Sequence, residues 1–272
     1  MEEKFMSRII AIANQKGGVG KTTTSINLGV GLSRAGKKVC LVDLDPQGNA
    51  TQGLGYNPDL LDCTIATIMD RIISKDFNIT QEFGMLHHDE GIDLIPSSID
   101  LSLMEMKLLS VYIGREKILN TYLEMIRNLY DYIIIDCKPS LDIITLNALT
   151  AADGVLIPVQ AQYYSAKGLE QLLGTISQVI TEGLNSKLTV DGILFTLANN
   201  RTNNYKQISD IVRSTYGQSI HIFSSNIPRA VTAEEAPAAG MSIYQYDPAG
   251  TVSKAYNDFT CEFMLWEEGV QL

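Results

Sequence analysis

Six short, nearly continuous apolar runs recur along the chain, at residues 9–13, 39–43, 92–95, 132–136, 155–159 and 192–195. They are rich in β-branched residues and lack the alternation of a sheet with one wet face, so each reads as a strand covered on both sides. Between them, residues 22–35, 115–129, 167–180 and 205–216 show helical amphipathic spacing and are long enough to serve as crossover helices. Strand and helix alternating in this way predict one α/β domain, a mainly parallel twisted sheet flanked by helices. No repeat, low-complexity tract or Pro/Gly/Ser-rich linker divides it, so residues 1–272 read as a single domain with a flexible N-terminus over 1–7. Residues 53–78 read as a surface excursion, and Trp266 as the end of a last helix packed on the domain.

Composition narrows the setting. Hydrophobic residues make up 45% and charged residues 19% of the chain, enough apolar surface to offset the entropy of ordering. The start is acidic and lacks the apolar segment of a signal peptide, and no apolar run approaches the roughly 20 residues that span a bilayer. Cys40, Cys63, Cys137 and Cys261 are scattered, without zinc-ligand spacing or the density of a disulfide scaffold, which points to a reducing cytoplasm. A net charge of −10 repels nucleic acid and anionic lipid, so any such contact would need a local basic patch.

Directly after the first strand comes Asn14-Gln15-Lys16-Gly17-Gly18-Val19-Gly20-Lys21-Thr22-Thr23-Thr24, opening the first helix. Glycines let the backbone curl so that its N–H groups and the helix N-terminus face a phosphate. Lys21 would reach the β- and γ-phosphates and the Thr22 hydroxyl would ligate Mg²⁺. The usual G-x-x-x-x-G-K-[ST] pattern would place glycine at Gln15; this chain instead carries an extra lysine, Lys16, the KGGxGK[ST] variant. The fold expected is therefore that of a P-loop NTPase. Asp136 ends an apolar run, where a second carboxylate holds Mg²⁺ directly or through water. Asp43 and Asp45 follow the second strand, and either is placed to activate water, although Pro46 and Gly48 also suit an ordinary turn.

Taken together with Asp43-Leu44-Asp45-Pro46-Gln47-Gly48-Asn49, Val155 to Gln160, Asn226-Ile227-Pro228-Arg229, Glu235-Ala236-Pro237 and Tyr246-Asp247-Pro248, these motifs resemble the ParA/MinD family of deviant Walker A ATPases, most of all its chromosomal Soj branch. The resemblance implies ATP and Mg²⁺ as cofactors, with Lys16, Gly17, Gly18, Val19, Gly20, Lys21, Thr22 and Thr23 around the phosphates. It implies that Lys16 crosses to a partner subunit's phosphates, that Asp45 positions the hydrolytic water, and that Thr22 and Asp136 form the metal site. It places Asn199 and Pro228 at the adenine, and Arg201 and Arg229 on DNA. It further implies an ATP-dependent homodimer, a ParB-like activator, nonspecific double-stranded DNA as ligand, and a cytoplasmic protein that associates with the nucleoid.

Three departures bear on that expectation. Soj-type chains read Asp-Cys-Pro-Pro-Ser where this one has Asp136-Cys137-Lys138-Pro139-Ser140, which would add a cation near the phosphates or near a partner's acids. A further DNA-binding arginine of the family is replaced by Thr232. The C-terminus lacks the basic amphipathic helix by which MinD meets membranes, so no membrane role is expected. The alternative reading is an ATP switch that acts on a protein partner and binds little DNA. An amidotransferase of the same loop class would need a Cys-His-Glu glutaminase set, which the sequence does not display.

Overall fold

In the computed structural model, which describes residues 7–76, 79–162, 165–199 and 202–270, the apolar runs become strands of one eight-stranded sheet. These are β1 (Arg8–Ile12), β2 (Val39–Leu44), β3 (Leu86–His87), β4 (Ile92–Ile95), β5 (Tyr132–Cys137), β6 (Gly154–Gln160), β7 (Thr189–Ala198) and β8 (Ile222–Pro228). Their order is β3-β4-β2-β5-β1-β6-β7-β8. Every neighbouring pair runs parallel except β3 with β4, in agreement with the mainly parallel sheet expected.

The helices are α1 (Lys21–Arg34), α2 (Asn49–Gly53), α3 (Ile65–Ile73), α4 (Asp100–Ser110), α5 (Ile118–Ile126), α6 (Ile143–Ala151), α7 (Ser165–Thr181), α8 (Asn203–Tyr216), α9 (Thr232–Ala238), α10 (Ile243–Tyr246) and α11 (Thr251–Glu267). Successive strand side chains point to opposite faces. Ile9, Ala11, Ile133, Ile135, Val155 and Ile157 therefore pack under α3 to α8, while Ile10, Ile12, Ile134 and Leu156 pack under α1, α2 and α9 to α11. Both faces are dry, which is why the strands read as unbroken apolar runs.

Several elements differ from expectation. The stretch 53–78 is no surface excursion throughout: a Thr64/Thr67 capping box starts α3, whose Ile65, Ala66, Ile68 and Met69 enter the core. The helix expected over 115–129 is α5 flanked by short 3₁₀ turns at Arg115–Lys117 and Arg127–Leu129. His87 lies on the edge strand β3 and pairs with Asp93 at 2.5 Å. Of the N-terminal stretch 1–7 expected to be flexible, residues 1–6 lie outside the described residues; Ser7 is buried and its carbonyl accepts from Arg127 at 2.9 Å. Trp266 does close α11, stacked near His221 with Arg8 over its ring. Among the described residues, no helix is long and apolar enough to cross a membrane.

Candidate functional site

Because β1, β2 and β4 to β8 run the same way, their carboxyl ends meet on one edge of the sheet, where parallel α/β folds place their ligands. From β1 the chain turns through Ala13–Gly20 into α1. Gly18 and Gly20 sit at φ 68° and 81°, in the left-handed region that glycine enters without strain. Gly20 is also the N-cap of α1, with no side-chain cap and no acid in the first turn, so the helix presents uncapped N–H groups and its positive end to the loop.

Neighbouring strands hold this loop open. Asn14, buried, donates to the Pro158 carbonyl at 2.8 Å and accepts from the Lys16 amide at 2.9 Å. Thr196 near the end of β7 donates to the Val19 carbonyl at 2.6 Å. Lys21 curls back so that its ammonium donates to the Lys16 carbonyl at 3.2 Å. Burial lowers the Lys21 pKa, with Asp136, Cys137 and Asp45 opposing that shift. A buried ammonium held over a ring of peptide dipoles is a strong attractor for an anion.

The acids are arranged by register. Asp43 and Asp136 are direct partners in the β2–β5 ladder. Burial raises the pKa of both; Asp43 is raised further by the charge of Asp136, whereas contacts from Thr22 and Ser25 and the charge of Lys21 oppose the rise at Asp136. Asp43 is fully engaged: it accepts from the Thr51 amide at 2.8 Å, the Thr51 hydroxyl at 2.7 Å and the Asp45 amide at 3.2 Å. Of the two carboxylates proposed as water activators, it is therefore the one that shapes the loop. Asp45 gives one oxygen to the Gln47 amide at 3.0 Å.

Asp136 Oδ1 accepts from Ser25 at 2.9 Å, whereas the buried Asp136 Oδ2 has no hydrogen bond of regular geometry among the described residues. An orphaned carboxylate oxygen with the Thr22 hydroxyl close by is a hard-oxygen donor set that fits Mg²⁺. Thr22 and Thr23 occupy the first turn of α1.

Asn199 and Pro228 come together, with Ala198, Arg229, Val231 and Glu234, in an open groove of about 590 Å³ beyond the ends of β7 and β8. Lys16 donates to Gln162 Oε1 of its own chain at 2.6 Å, in an exposed contact. Arg229 is exposed and lies 3.7 Å from Glu234. Arg201 falls outside the described residues. Lys138 adds no unpaired cation near the phosphates: its ammonium is neutralised by Glu105 at 2.9 Å and Asp142 at 2.6 Å. Sequence reasoning assigned no role to Asn14, Ser25, Thr51 or Thr196. Of these, only Ser25 left a signal, one helical turn after Lys21.

Comparison with known proteins is consistent across the chain. A family model described as an AAA domain matches residues 7–190. The sporulation initiation inhibitor protein Soj of Bacillus subtilis is 43% identical over 258 residues, spanning 94% of this chain and 98% of that protein. The chromosome partitioning protein ParA of Myxococcus xanthus is 43% identical over 246 residues, spanning 89% of this chain and 82% of that protein. Among solved structures, cobyrinic acid a,c-diamide synthase of Mycobacterium smegmatis with bound ADP and magnesium superposes with a TM-score of 0.82 at 34% identity, covering 97% of each chain. The same protein is known with an ATP analogue and magnesium.

Proposed function

Because the chain belongs to the ParA/MinD family of P-loop ATPases, in its Soj branch, we propose that it hydrolyses ATP as a timed switch in the positioning or segregation of DNA. The observation that carries this reading is the loop itself: a glycine-lined turn at an uncapped helix N-terminus, with Lys21 folded over it and an orphaned Asp136 oxygen beside it.

In this proposal Gly17 to Gly20 and the first turn of α1 bind the phosphate oxygens through backbone N–H groups, and Lys21 contacts the β- and γ-phosphates. Thr22 and Asp136 hold Mg²⁺, which neutralises charge building on the phosphate oxygens. Asn199 and Pro228 take the adenine in their groove. Asp45, oriented by Asp43 through its backbone amide, positions the water that attacks the γ-phosphorus and accepts its proton, and ADP leaves as the oxygen bridge to the γ-phosphorus breaks. Lys16 reaches the phosphates of a second subunit. To do so it releases an exposed hydrogen bond to Gln162, a contact whose net value is about 1 kcal/mol. ATP thus joins two subunits, and hydrolysis separates them.

The dimer binds duplex DNA nonspecifically through Arg201 and Arg229 and is switched off by a ParB-like activator. The net charge of −10, and Glu234 3.7 Å from Arg229, favour the alternative in which the partner is a protein. Gel shift of random duplex DNA at low and moderate salt, with ATP or ADP, separates the two. ATP-dependent retention at low salt supports the DNA switch; its absence, with ATP hydrolysis intact, supports the protein-directed one.

The likeness to a diamide synthase raises amide chemistry as a second reading. Against it, the Cys40 and Cys137 thiols are pushed strongly upward by burial, His87 pairs with Asp93, and His221 packs between Phe223 and Trp266. None of these is an activated thiol–imidazole pair.

A further inference from the structure

We infer that Lys138 is a positioning residue of the nucleotide site: it bridges Glu105 on α4 and Asp142 at the start of α6, and so keeps Pro139 seated on Gly17 of the phosphate loop. The inference rests on the nucleotide-binding reading above and assigns that site a mechanical support in a second layer of side chains.

The segment between Asp136 and α6 is tied at several points. Asp142 caps α6, accepting from the Ile144 amide at 3.0 Å and the Thr145 amide at 3.4 Å. Ser140 donates to Asp142 at 2.6 Å, and the Ser140 amide donates to the Lys138 carbonyl at 2.9 Å. Thr145 closes the turn by donating to the Ser140 carbonyl at 2.8 Å.

All of these contacts are internal to residues 138–145 and fix the shape of the turn, whose α6 end is seated in the core by Ile143 and Ile144. Lys138 adds a polar tie from the turn to α4. Its side chain is only 13% exposed and reaches Glu105, 33 residues earlier in sequence. Three residues beyond Asp136, Pro139 lies where its Cβ is 3.9 Å from the position a Cβ on Gly17 would take. A shift of the turn therefore moves both the wall behind Gly17 and the end of the strand that carries Asp136.

Removing the lysine leaves Glu105 and Asp142 facing each other without a cation, and the turn is then pushed from its seat by like-charge repulsion. Removing the charge of Glu105 gives a sharper test. If the pair acted only through long-range charge, Glu105→Gln would make the site less negative and tighten binding of an anionic nucleotide. If the pair positions the turn, the same substitution weakens binding.

The experiment measures the Kd of a fluorescent ADP analogue with Mg²⁺, together with thermal melting of the nucleotide-free chain, for the unaltered chain, Lys138→Met, Lys138→Arg, Glu105→Gln and the Met/Gln double variant. We expect Lys138→Met and Glu105→Gln each to weaken binding by about tenfold, Lys138→Arg to restore it to within about twofold, and the double variant to be no worse than either single one. Unchanged or tighter binding in Glu105→Gln, additive losses in the double variant, or a fall in melting temperature with no change in Kd would overturn the assignment. Failure of the unaltered chain to bind the analogue would overturn the nucleotide reading as well.

Discussion

Asp43 and Asp136 face each other at one level of adjacent strands, both buried and both shifted above the ordinary carboxylate range. The sign of the linkage follows directly: an acid whose pKa is higher in the folded state stabilises the fold when protonated, and that contribution is lost as pH rises through the folded pKa. In EDTA without nucleotide, the melting temperature should therefore fall as pH rises from about 5 toward 8, starting above the unperturbed carboxylate value near 4. Asp136→Asn should flatten that slope, and an unchanged slope would show that the pair does not share the strain. At the same scale, Thr196→Val removes the donor to the Val19 carbonyl. A lost buried hydrogen bond costs about 1–3 kcal/mol, so nucleotide Kd should rise several-fold with little change in the pH profile; isothermal titration checks it. Lys16, Lys21, Thr22, Asp45 and Asp136 were legible as candidates because their spacing or strand-end position is visible in sequence. Asn14, Thr51 and Thr196 were not, since their roles arise from register between strands that lie far apart in the chain.

Elements were readable where packing on both faces forces a continuous apolar run, as in β1, β2, β5 and β6. β8 carries Ser224, Ser225 and Asn226 at the sheet edge and has only Phe223 and Ile227 buried, so it leaves no such run. β3 is two residues long and carries too little pattern to detect. The short amphipathic α3 was hidden for a different reason, lying inside a stretch of turn-like composition. The packing of α1 against α11 is equally invisible in sequence. A Cβ on Gly31 would stand 2.4 Å from Thr260 Oγ1 and 2.8 Å from the Tyr244 hydroxyl. Glycine in mid-helix ordinarily costs stability relative to alanine, yet here the close approach reverses the sign. Gly31→Ala should destabilise the fold by about 1–3 kcal/mol, read as a lowered midpoint in urea, whereas stabilisation would mean the two helices can separate without cost.

At the scale of the molecule, one edge of a parallel sheet collects a phosphate loop, two carboxylate-bearing strand ends and an open groove, while a net charge of −10, of the same sign as DNA, works against DNA binding. If Arg229 contributes one phosphate contact, Arg229→Ala should lower the slope of log affinity against log salt by about 0.9. No change in slope would remove it from the interface. The fold class was legible from alternation alone, and nucleotide binding from one loop; pairing of subunits rests on the single lysine that distinguishes this loop. In the proposed cycle ATP, and not ADP, joins two chains until Asp45 permits hydrolysis. Sedimentation velocity of Asp45→Ala with Mg²⁺ tests it most directly. With ATP a species of twice the 29.9 kDa chain mass is expected, and with ADP, or in the Lys16→Ala/Asp45→Ala double variant with ATP, a single chain. A monomer in all three conditions, or a dimer indifferent to the nucleotide and to Lys16, would contradict it.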